Sequence, residues 1–142
     1  MASGIYTIHK ADLMNGNVDL VNDTIYVALM ATGHTAVTTP ADLLADNTWA
    51  DVSANEISGT GYVAGGAVMS GTKSVTEAAT TYWDTDADQS WTTATFTAYH
   101  AVLYDSTVTD NLIATIDFGG AQTVTAGTFT IQWHANGIIS LA

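Results

Sequence analysis

The chain has no cysteine, no arginine, a single proline and only two basic side chains, Lys10 and Lys73, in 142 residues. Without thiols there are no disulfide frameworks, thiolate metal sites, iron–sulfur clusters or cysteine nucleophiles. Nucleic acid and anionic membranes are not expected partners, because both are held by Lys and Arg spaced to neutralise phosphates. Fourteen acidic residues leave a formal net charge of −12, yet charged residues of both signs make up only 11% of the chain, against roughly 25% in an ordinary domain. No run approaches the ~18 apolar residues that span a bilayer. The first ten residues lack a basic stretch followed by an apolar one, so the chain is expected to be soluble and unprocessed.

What is present favours strands. Hydrophobic residues make up 47% of the chain and there are 24 threonines; β-branched side chains lose rotamer freedom in helices and fit a pleated surface. In residues 128–134, Phe129, Ile131 and Trp133 alternate with Thr128, Thr130, Gln132 and His134, the period-two pattern of a half-buried strand. Residues 24–30 and 112–118 alternate in the same way. Residues 96–104 are apolar on both faces, which places them centrally in a sheet. Weaker strand patterns occupy residues 18–21, 61–69, 73–76, 80–83, 122–125 and 138–141. Asn22-Asp23, Gly65-Gly66, Gly119-Gly120, Ala126-Gly127 and Asn136-Gly137 punctuate them. Asn136-Gly137 reads as a two-residue type I′ hairpin turn. Short helices are expected over residues 40–46, capped by Thr39 with Pro40 in the first turn, and over residues 8–14. The expected fold is therefore all-β: one antiparallel β-sandwich over residues 1–142, jelly-roll or immunoglobulin-like, with one or two short helices. Residues 1–8 form an N-terminal arm, and residues 33–60 a long loop carrying a helix.

Residues with chemistry are scattered. Asp84, Asp86 and Asp88 open like a calcium loop, but Gln89 stands where a sharp turn needs glycine and Thr95 where a bidentate Glu would close the shell. A solvated turn is the favoured reading, with a weak calcium site as the alternative. His9, His34, His100 and His134 have no zinc-ligand spacing. No motif frames a serine as nucleophile, and nothing singles out a carboxylate pair for acid–base work. No catalytic residue, metal or cofactor is assigned. Trp49, Trp83, Trp91 and Trp133 raise the reading of a glycan-binding module; Trp133 and Trp91 are expected in the core, leaving Trp49 and Trp83 as contact residues.

Taken in order, Asn17-Val18-Asp19-Leu20, Asp23-Thr24-Ile25-Tyr26-Val27-Ala28-Leu29-Met30, the stretch from Asp51 through Gly59-Thr60-Gly61-Tyr62 to Gly65-Gly66, Ala101-Val102-Leu103-Tyr104, Asp117-Phe118-Gly119, and Gly127 to Trp133 with Asn136-Gly137-Ile138 resemble a family of small virion structural proteins of tailed bacteriophages. The likeness runs over nearly the whole chain. It departs at His100, where the family pattern has Arg. The resemblance implies a non-enzymatic particle component: a decoration or cement protein on the outer capsid surface, made in the host cytoplasm, bound to the major capsid protein and to its own copies as a trimer. A tail or fibre component, or a glycan- or receptor-binding module on the virion, is the alternative. Candidate contact residues are Ile5, Tyr6 and Ile8, if the arm adds to a neighbouring sheet edge rather than forming a first strand of its own sheet, and Trp49 in the long loop.

Overall fold

In the computed structural model, which describes residues 3–35 and 45–142, the alternating segments become strands whose apolar faces meet. β1 (Gly4–Ile5) leads into helix α1 (Thr7–Asn15), followed by β2 (Ile25–Met30), helix α2 (Trp49–Val52) with a 3₁₀ turn (Ser53–Asn55), β3 (Ala67–Val68), β4 (Lys73–Thr76), β5 (Thr81–Thr85), β6 (Gln89–Asp105), β7 (Asn111–Ile131) and β8 (Ile139–Leu141). They form a five-stranded antiparallel sheet in the order β1-β7-β6-β2-β3 and a three-stranded sheet in the order β4-β5-β8.

The main core lies between the sheets: Ile25, Val27 and Leu29 of β2, Ala101 and Leu103 of β6 and Ile113 of β7 meet Trp83 of β5 and Ile139 of β8. The opposite face of the large sheet carries a second core, in which Ala28, Met30, Val102, Tyr104 and Leu112 pack with Tyr6, Val52, Ile8 and Trp49. Both faces of the middle of β6 are therefore covered, which is why residues 96–104 show so little polar alternation. The chain is an all-β sandwich, with helices α1 and α2 packed on one outer face of the large sheet.

Several local expectations give way to tertiary pairing. The candidate strands over residues 96–104 and 112–118 are halves of much longer ones, β6 and β7, which pair from Gln89↔Ile131 to Asp105↔Asn111. Gly119-Gly120 and Ala126-Gly127 do not end β7. They are absorbed as irregularities, with φ of 76° at Gly119, 147° at Gly120 and 48° at Ala126. Residues 18–21 form a turn instead of a strand, because the Asp19 carboxylate accepts the N–H groups of Val21 (3.0 Å) and Asn22 (3.1 Å). Of residues 61–69 only β3 is extended. Gly66, at φ 82°, lies so close to β2 that a Cβ would sit 2.2 Å from the Val27 carbonyl oxygen. Asn136-Gly137 makes no type I′ hairpin: Gly137 has φ 93° while Asn136 keeps negative φ, and β8 pairs with β5, not β7. Most of the helix expected over residues 40–46 lies outside the described residues; the one over 8–14 is α1.

Candidate functional site

The outer half of the β6–β7 ribbon is the most distinctive surface of the chain. Residues 89–104 and 118–142 contain no Asp, Glu, Lys or Arg, and the ladder sets the two segments side by side, from Gln89↔Ile131 to Ala98↔Gln122. One face of the ribbon packs inward through Trp91, Ala94, Phe96 and Ala98, with Phe96 and Phe129 5.2 Å apart. Its other face is covered by hydroxyls. Ser90 meets Thr130, and Thr97 meets Thr123, each at 2.8 Å. Thr92, Thr95, Thr125 and Thr128 are exposed between them.

β7 is also an edge strand over most of its length. β1 covers it at Ala114 and Thr115 only. The Ser3 hydroxyl then accepts the Asp117 N–H, and the Asp117 carboxylate accepts the Gly119 N–H. From Gly120 to Ile131, no described strand pairs with the outer side of β7. Beside this edge the sandwich is open in a hollow of about 530 Å³, lined in part by Ile116, Phe118, Phe129, Trp133 and Ile138.

On the other, helix-covered face of the large sheet, a polar group is buried beside Met30 and Tyr6. His34 Nε2 lies 3.1 Å from Thr115 Oγ1, its ring stands edge-on to His100 at 5.3 Å, and His100 Nε2 is 3.7 Å from Asp117 Oδ1. His100 thus faces the acid across the ladder. Burial, with the neighbouring His100 second, lowers the His34 pKa to about 4. At the C-terminal end of β6, Asp105 is 1% exposed, and burial, reinforced by the Asp23 carboxylate, raises its pKa to about 6. Neither Asp23 nor Asp105 lines the hollow beside the β7 edge.

The residues singled out from sequence are placed differently from the expectation. Gly4 and Ile5 pair with Thr115 and Ala114 of the chain's own β7, and Tyr6 donates its N–H to Ile113 O at 2.9 Å with none of its surface exposed. Over residues 3–8, the arm is therefore the first strand of its own sheet and the start of α1. Tyr6 is a core residue, Ile5 packs against the main core and Ile8 against the second. Trp49 is half-buried and stacked on Tyr104, with ring centroids 4.9 Å apart and planes 11° from parallel; Tyr26 stacks on the other face of Tyr104 at 5.3 Å. Trp83 is 3% exposed and donates its indole N–H to Leu20 O. It is a core residue, not a contact residue. Asp86 and Asp88 accept the N–H groups of Thr72 and Trp133, tying the end of β5 to β4 and the start of β6 to the end of β7. Among the described residues, no three His, Asp or Glu side chains are grouped to bind a metal.

The uncharged ribbon was missed as a surface because each half is unremarkable alone. Its signal was the spacing of the acids, which thins to nothing in two segments that β pairing then joins. No protein-family model, curated protein or solved structure matches the chain.

Proposed function

We propose that this chain is a non-catalytic structural protein of a tailed-bacteriophage particle: a decoration or cement protein that binds the major capsid protein on the outer capsid surface and contacts copies of itself. The phage assignment rests on the sequence resemblance. One structural observation supports the contact role, namely the segregation of charge. In a chain of net charge −12, the long β6–β7 ribbon carries no charged side chain along residues 89–104 and 118–131, so a neighbouring protein docks there without desolvating ions. The acidic remainder faces away from packaged DNA, which would repel it.

The test is co-sedimentation with undecorated capsids, followed by melting of the shells. Binding that raises the shell melting temperature is the expected result. A chain that neither sediments with shells nor alters their melting would overturn the capsid assignment in favour of a tail or receptor-binding part.

A further inference from the structure

We infer that the outer edge of β7 is a self-association site, at which a second copy of the chain adds its own β7 antiparallel to the first and joins two five-stranded sheets into one. The inference rests on the reading of the ribbon as a contact surface, and it names the partner. An edge strand presents a row of unpaired N–H and C=O groups, and proteins that stay monomeric blunt such edges with lysine, proline, inward charges or a covering segment. The edge from Gly120 to Ile131 has no lysine, no proline and no acid, and no described strand covers it. Its regularity is broken at Gly120, where the stretch begins, and at Ala126, whose N–H is taken by Thr95 Oγ1 of β6 at 2.9 Å.

Charge selects the occupant. Two chains of net charge −12 repel wherever their acidic surfaces meet, so self-association is confined to contacts that bring no like charges together. Pairing β7 with its own copy satisfies this, because the strand is neutral on both sides of the contact. It also explains the adjacent hollow. Phe118 and Phe129, 6.0 Å apart, and Trp133 are half-buried at its wall, and a strand added alongside extends the sheet over them. A strand that pairs with itself antiparallel closes about a two-fold axis, so the species is a dimer and not the trimer that the family resemblance implies.

The experiment is sedimentation velocity of the full chain over a hundredfold concentration range, on the parent and on Thr125→Lys/Thr128→Lys. That variant sets lysines of the two copies against each other. Thr92→Lys, which places a lysine on the exposed ribbon but on β6 and leaves the Thr95–Ala126 bond in place, is the control. A concentration-dependent dimer, weakened at least about tenfold by the β7 variant and not by the β6 control, with melting temperatures unchanged, is expected. A parent that stays monomeric, a trimer, or a dimer indifferent to the β7 lysines would each overturn the inference. Shell binding by the same variants is scored separately: retained binding without self-association leaves the capsid reading standing, whereas a dimer that ignores shells removes that reading and keeps the β7 contact.

Discussion

Replacing Asp105 by Asn is expected to stabilise the protein at neutral pH and to leave it unchanged in acid. Asp105 closes β6, and its Oδ1 accepts the N–H groups of Thr107 (2.8 Å) and Val108 (3.3 Å), which shapes the turn into β7. Its Oδ2 is buried without a hydrogen-bond partner. Burial and the Asp23 carboxylate both disfavour the charged form, so the folded pKa lies at about 6 against 3.8 for the free side chain. The folded state therefore binds this proton more tightly than the unfolded state does. Below pH 3.8 both states are protonated and the carboxyl costs nothing; the cost grows as pH rises and is complete above about 6. At 1.36 kcal/mol per unit, a displacement of about two units is worth up to about 3 kcal/mol. Asn retains an acceptor for the turn and turns a donor toward Asp23, so roughly 1–3 kcal/mol should be recovered at pH 7.5. At about 3 °C per kcal/mol for a chain of this size, that is a rise in melting temperature of roughly 3–9 °C. Thermal melts of parent and variant at pH 4, 5, 6 and 7.5 are the assay. A variant less stable than the parent at pH 7.5, or an advantage that fails to shrink toward pH 4, would refute the argument.

Three further outcomes follow from the packing. His34 is held neutral by burial with its pKa near 4, so it opposes protonation that the unfolded chain accepts near 6.5; stability is lost as pH falls through that window, and His34→Gln should flatten the decline of melting temperature between pH 6.5 and 4. Gly66→Ala meets the Val27 carbonyl at 2.2 Å from a positive-φ backbone and should lower stability by more than about 2 kcal/mol in denaturant titrations; parent-like stability would mean that this loop does not lie against β2. Trp49→Ala removes one end of the Trp49–Tyr104–Tyr26 stack and should destabilise by about 2–4 kcal/mol, with shell binding intact below the melting transition. Shell binding lost in a folded Trp49→Ala would instead make that ring a contact residue.

How far the fold was legible depended on whether local and tertiary preferences agreed. Where they agreed, single residues came out correctly: Ile131 is buried, Phe129 and Trp133 are half-buried, and Thr128, Thr130 and Gln132 are exposed, as strict alternation requires. They disagreed at Gly119-Gly120 and Ala126-Gly127, which are turn dipeptides by composition but sit opposite a long partner strand. Continuing the ladder with bulges there is cheaper than leaving β6 unpaired. The converse holds at the turn joining β6 to β7. Thr109 and Asp110 take positive φ, 53° and 56°, in a segment with no glycine, held by the Asp105 side chain from the strand end and not by turn residues of its own.

The candidate site shows the same limit in another form. That the chain is acidic and sparsely charged is visible from a count; that the neutral residues make one surface is not, because the two uncharged segments are separated in sequence by Asp105, Asp110 and Asp117. Only the register, with Ala98 opposite Gln122 and Trp91 opposite Phe129, folds them together, while Asp117 and Asp105 fall in the other half of the ladder. A Thr- and Ser-covered ribbon arising merely from strand propensity would still be expected to carry lysine or glutamate at some of its exposed positions, since those residues cost little on a solvent face and guard an edge. Thr92, Thr95, Thr125 and Thr128 are all exposed and all neutral, in a chain that places fourteen acids elsewhere. Charge is absent from the β7 edge between Gly120 and Ile131, where a lysine on the solvent face would cost little, and this is the pattern that the proposed β7 contact requires.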